Sequence, residues 1–127
     1  MVEGMTKETT ILYVDDEPDA RELFEEIFES QGFKVLSFEN AEDALAGFNE
    51  NSVDIAIIDL TLGGGMNGFD LLSEIRSKPE ISKLPVIMLS GHTSMRTRQR
   101  ALDSGVSLYV EKPYHPDELR AKIEGLL

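Results

Sequence analysis

The chain has no cysteine among its 127 residues. That excludes disulfides and thiol chemistry, and it fits a cytoplasmic protein. No apolar run approaches the roughly 20 residues that span a bilayer, and residues 1–9 have no apolar core, so neither a membrane span nor a signal peptide is expected. Basic residues are scarce: 12 Lys and Arg stand against 24 Asp and Glu, a net charge of −12. That balance disfavours direct binding to nucleic acid or to an anionic membrane. Nothing in the length calls for a second domain, since domains of about 100–150 residues are the commonest. Residues 1–9 read as a tail and residues 10–127 as one domain.

What the chain does have is a set of short apolar runs that each end in reactive side chains. Val53-Asp54-Ile55-Ala56-Ile57-Ile58 leads into Asp59, and the glycines Gly63, Gly64 and Gly65 follow soon after. A run apolar at successive positions suits a strand covered on both faces, as in a parallel sheet flanked by helices. Asp59 then lies at the carboxyl end of its strand, where open α/β sheets bind ligands. One Asp at such a place could simply start a turn, but it has company. Ile11-Leu12-Tyr13-Val14 closes on Asp15-Asp16-Glu17, Val86-Ile87-Met88-Leu89 on Ser90-Gly91, and Leu108-Tyr109-Val110 on Glu111-Lys112-Pro113. If these are neighbouring parallel strands, acids, a hydroxyl and an ammonium reach one edge. That set suits phosphoryl transfer to a carboxylate. Hard acid oxygens can hold Mg²⁺, Ser90 and Lys112 can hold phosphoryl oxygens, and in-line attack then needs mainly positioning and charge neutralisation.

Helical patterns alternate with these runs. Pro18 can open a helix in which Ala20, Leu23, Phe24, Ile27 and Phe28 recur at helical spacing before Gly32. After a short strand over residues 34–38, Asn40 is an N-cap candidate with Asp43 three residues on, and Ala41, Ala44, Leu45 and Phe48 form the next stripe. Leu71, Leu72 and Ile75 mark a helix over residues 68–77 that Pro79 ends, and Leu119, Ile123 and Leu126 mark another after Pro116. Between Ser94 and Ser104 only Met95, Ala101 and Leu102 are apolar, while Arg96, Arg98 and Arg100 form a basic group. So thin a stripe predicts a weakly packed helix on a solvated face, and a candidate moving part.

The ordered set of the acidic pair, Asp59, Ser90-Gly91 and Tyr109-Val110-Glu111-Lys112-Pro113 resembles the receiver domain of two-component response regulators, over roughly Thr10 to Leu127. The resemblance implies an α/β, flavodoxin-like fold: a doubly wound parallel sheet of five strands in the order 2-1-3-4-5 with five flanking helices. It implies Asp59 as phosphoacceptor, and Mg²⁺ held by Asp16, by Asp15 through water, by Asp59 and by the Thr61 carbonyl. Ser90 and Lys112 would sense the phosphoryl group, and Tyr109 would turn inward from a more exposed position on activation. A cis Lys112-Pro113 bond is also implied. The expected donor is a sensor histidine kinase or a histidine phosphotransfer protein, and the output partner or effector would meet the face of residues 94–127. Such a domain catalyses only its own phosphorylation and dephosphorylation. With nothing after Leu127, it is expected to act alone through protein contacts or to be one domain of a longer protein.

The family's usual Pro four residues after the phosphoacceptor is missing, and its Gly eight residues after is displaced by one apparent extra residue in Leu62-Gly63-Gly64-Gly65-Met66-Asn67-Gly68. Three glycines predict a mobile loop. His92 reads as a rim residue. Two rival readings remain at this level. Asp59-Leu60-Thr61-Leu62-Gly63 is also similar to the nucleophile motif of haloacid-dehalogenase-type phosphatases, although Thr61 stands where their second acid belongs. A receiver-like module that binds partners without taking phosphate is the other. Crowding of Asp15, Asp16 and Asp59 predicts at least one raised carboxyl pKa through mutual repulsion.

Overall fold

The computed structural model describes residues 8–50, 52–62, 65–91 and 94–127. Most of the tail expected over residues 1–9, the glycines Gly63 and Gly64, and His92 lie outside the described residues. Strands and helices alternate as β1 (Thr10–Val14), α1 (Pro18–Glu29), β2 (Lys34–Phe38), α2 (Ala41–Glu50), β3 (Ile55–Asp59), α3 (Gly68–Ser77), β4 (Val86–Ser90), α4 (Met95–Asp103), β5 (Leu108–Glu111) and α5 (Pro116–Leu126). The five strands form one parallel sheet in the order β2-β1-β3-β4-β5.

Every residue of β1, β3 and β4 is buried, as the unbroken apolar runs require, whereas β2 and β5 at the sheet edges are partly open. Side chains alternate between the two faces. Leu12, Val14, Ala56, Ile58, Val86 and Met88 pack with Ala41, Ala44, Leu71, Leu72, Ile75 and Ala101 from α2, α3 and α4. Ile11, Tyr13, Ile55, Ile57, Ile87 and Leu89 pack with Phe24, Phe28, Leu119 and Ile123 from α1 and α5. Two cores thus share one sheet.

Local chemistry sets the helix ends. Asn40 Oδ1 accepts the Asp43 amide at 2.7 Å ahead of α2. Asn67 and Asp70 form a reciprocal capping box at the start of α3. α1 has Pro18 in its first turn and no side-chain cap. Past its end, Gly32 takes φ +96°, and the Phe33 amide returns to the Phe28 carbonyl at 3.1 Å. Lys78 is extended, as the residue before Pro79 tends to be, and α3 stops there.

Two helical stripes differ from expectation. Leu23 is 53% exposed, because α1 meets the sheet through Phe24 and Phe28. On α4, Met95 and Leu102 are exposed and only Ala101 is buried. The basic group is not merely solvated, however. The Arg100 guanidinium lies 4.1 Å from the Phe69 ring centre and that of Arg98 5.8 Å from the Tyr109 ring centre. Arg98 also faces Glu111 at 3.9 Å. Each such exposed cation–π contact is worth about 0.5–1 kcal/mol, so arginines on rings replace part of the missing apolar packing.

Gly68 packs closely against backbone near the sheet's carboxyl edge. A Cβ there would lie 2.8 Å from the Asp59 carbonyl oxygen and 2.9 Å from Leu60 Cα. Backbone cannot step aside as a flexible side chain can. Gly68→Ala is therefore expected to destabilise the fold by about 1–3 kcal/mol, measured by urea denaturation.

Candidate functional site

Parallel pairing brings the ends of β1, β3, β4 and β5 to one edge, and with them the residues that terminate their apolar runs. Asp15 follows β1, Asp59 ends β3, Ser90 ends β4, and Lys112 follows β5. Asp15 and Ser90 are fully buried, Asp59 is 7% exposed, and Asp16 is exposed. The Lys112 ammonium donates to Asp15 Oδ2 at 3.0 Å and to Asp59 Oδ2 at 3.0 Å. It bridges the two acids.

The remaining oxygens are also held. Asp59 Oδ1 accepts the Thr61 amide at 3.0 Å, and Asp15 Oδ1 accepts the Glu17 amide at 3.0 Å. The Lys112 amide donates to the Ser90 carbonyl at 2.8 Å, which ties the lysine's chain to the end of β4. The Lys112-Pro113 bond is cis, as expected. Asp15, Asp16 and Asp59 each offer one oxygen within 4.8 Å of the other two. Three hard anionic oxygens, one on an exposed residue, suit a small divalent cation that keeps part of its water.

Burial pushes the Asp59 carboxyl above the usual carboxylate range. The Lys112 hydrogen bond and charge and the Thr61 amide act the other way, and the Asp15 charge adds a smaller upward push. The upward shift was expected, but mutual repulsion is not its main cause. A carboxylate closed off from water loses more hydration than its neighbour's charge takes from it. For Lys112 burial acts downward, yet hydrogen bonds and charge from Asp59 and Asp15 outweigh it and the ammonium ends above its ordinary value.

Tyr109 sits opposite Met88 on β5 and is already buried, at 8% exposure, with Arg98 over its ring. The outward starting position expected for it is not the one observed. The ring belongs to the core cluster that also holds Met88 of β4 and Ala101 of α4.

The response regulator receiver domain family matches residues 11–124. The chain belongs to that family. The heme response regulator HssR of Staphylococcus saprophyticus is 34% identical over 119 residues, covering 94% of this chain and 51% of that protein. The receiver domain of NtrX from Brucella abortus is 35% identical, with a TM-score of 0.84 over 92% of this chain and 97% of that one. The chemotaxis protein CheY4 of Vibrio cholerae, 24% identical, shares the fold with a TM-score of 0.88 over 95% of this chain and 100% of its own. The chain spans about half the length of the first curated relatives it matches.

The protein is thus a two-component receiver domain, built around a phosphoacceptor site. Nothing favours the phosphatase reading. Among the described residues, no helix is long and apolar enough to cross a membrane. The receiver's displaced glycine is accounted for: Gly68 stands nine residues after Asp59, yet it is the glycine that packs on the Asp59 backbone. Sequence reasoning missed Tyr13, whose hydroxyl donates to Asp15 Oδ2 at 2.8 Å, and Arg21, whose guanidinium donates to the Asp15 carbonyl at 2.7 Å. The signal for Tyr13 was available. Residues two apart on a strand share a side, and Asp15 is two beyond Tyr13.

Proposed function

We propose that Asp59 accepts a phosphoryl group from the phosphohistidine of a sensor histidine kinase or a histidine phosphotransfer protein. The observation that carries this reading is the Lys112 ammonium shared between Asp59 and Asp15 at 3.0 Å each, beside a third acid. An Asp59 carboxylate oxygen attacks phosphorus in line; the P–N bond breaks, and its electron pair leaves on the donor imidazole. Thr61 fixes the other Asp59 oxygen through its amide, so the carboxylate is oriented before the donor arrives. Lys112 then turns its ammonium to the phosphoryl oxygens, and the Ser90 hydroxyl takes another. Asp15, Asp16, Asp59 and the Thr61 carbonyl would hold Mg²⁺, which neutralises the charge of the transferring group. Hydrolysis of the acyl phosphate by water returns the carboxylate, so the domain, residues 10–127, catalyses only its own modification. We place it in the cytoplasm as a signalling module.

Output leaves through α4, β5 and α5, the face of residues 94–127. α4 is the least firmly packed helix by its single buried residue, and Arg98 joins it to Tyr109 and Glu111 on β5. Drawing Ser90 toward the phosphoryl group changes the packing beside Tyr109, with a coupling of about 1–3 kcal/mol. Beryllofluoride with Mg²⁺, a phosphoryl mimic, tests both halves by amide spectra. The parent is expected to shift around Asp59 and across residues 94–110, and Ser90→Ala around Asp59 alone. A silent Asp59 region refutes the site; shifts confined to it in the parent refute the relay.

A further inference from the structure

We propose that Tyr13 is a positioning residue of the acidic site, holding Asp15 in place while Lys112 moves between Asp15 and the phosphoryl group. The inference rests on the reading of Asp59 as phosphoacceptor and of the acids as a divalent-cation site. Tyr13 lies in β1, 1% exposed, with its ring stacked on Phe24 at 4.0 Å and 6°. An aliphatic side chain would fill the core there. A buried phenol instead brings a hydroxyl that needs a partner, and the partner is Asp15 Oδ2 at 2.8 Å.

Asp15 has no exposure to water, so its oxygens depend on protein donors. Oδ1 has the Glu17 amide; Oδ2 has Tyr13 and Lys112. Lys112 is the donor of the two that a phosphoryl group on Asp59 would draw away, since its ammonium also reaches Asp59 Oδ2. When it turns to phosphoryl oxygens, Asp15 Oδ2 loses one of its two protein donors, and a buried carboxylate oxygen with too few partners is unfavourable unless the other remains. The Tyr13 hydroxyl is that donor. Anchored by the ring stack, it also fixes the Asp15 rotamer and with it the direction of the lone pairs left for a cation. Outer partners of metal-binding carboxylates typically change affinity 10- to 100-fold when removed.

Tyr13→Phe keeps the ring and its stacking and removes only the hydroxyl. Two measurements apply to parent and variant: Mg²⁺ affinity by calorimetric titration, and the Glu17 amide resonance in metal-free protein, which reports on Asp15 Oδ1. The expected result is Mg²⁺ binding weaker by about tenfold, with the Glu17 amide displaced before any metal is added. Mg²⁺ affinity within about twofold of the parent, with an unmoved Glu17 amide, would overturn the proposal. A parent that binds no Mg²⁺ refutes the reading of the acids and takes this inference with it. The two failures are distinguishable because the parent's titration alone decides the second.

Discussion

Asp59→Asn is expected to lose all transfer from acetyl phosphate while gaining stability at neutral pH without metal. The first half follows from chemistry: an amide is a poor nucleophile, and intact-mass measurement should find no phosphoryl adduct. The second follows from burial. Asp59 is 7% exposed, and desolvation raises its carboxyl pKa despite the Lys112 and Thr61 hydrogen bonds. The native state therefore binds this proton more tightly than the unfolded chain does. Where that holds, stability falls as pH rises from the ordinary value of 3.8 through the raised native one. The penalty is complete above the native value and absent below the ordinary one. Asn carries no such charge, and in the variant Lys112 keeps Asp15 as a partner. The gain should vanish on acidification and shrink when Mg²⁺ stabilises the parent. Urea denaturation at several pH values, with and without Mg²⁺, measures both. A variant less stable than the parent at neutral pH would mean that the Asp59–Lys112 pair outweighs desolvation.

Lys112→Ala should do the opposite to stability and still impair transfer. Without the ammonium, two buried carboxylates face each other with only amides and the Tyr13 hydroxyl to offset them. Breaking a fully buried pair typically costs about 3–5 kcal/mol. The Lys112 side chain is 28% exposed, so solvent screening reduces the expected loss to about 2 kcal/mol. Mg²⁺ should restore much of it by supplying countercharge, and acid should do so by protonating the carboxylates. The Lys112 pKa is raised, so in the parent, while the carboxylates stay ionised, this stabilisation is fully present below the ordinary lysine value of 10.5 and is lost as pH climbs through the higher native one. Transfer from acetyl phosphate should slow by about 100-fold, the scale of removing one donor aimed at developing charge. Pre-steady-state labelling with saturating Mg²⁺ separates this loss from weakened metal binding. A rate equal to the parent's would remove Lys112 from the transfer step.

Much of this was legible in the chain because it is decided locally. Unbroken apolar runs mark β1, β3 and β4 as covered on both faces, and all fifteen of their residues are buried. Asn40, Gly32 and Pro79 punctuate helices through bonds or clashes within a few residues. With helical crossovers between parallel strands, the run-ending residues Asp15, Asp59, Ser90 and Lys112 had to share one edge. Tertiary structure alone decided how they meet. Lys112 reaches its two acids across 97 and 53 residues of chain. Tyr13 points its hydroxyl at Asp15, Leu23 turns outward, Tyr109 is already inside, and Arg98 and Arg100 cover aromatic rings. Even the cause of the Asp59 shift, water lost more than charge gained, belongs to this level. Strand and helix periods are backbone properties that a few neighbouring residues settle, whereas desolvation and side-chain partners depend on what distant segments bring to the same few ångströms.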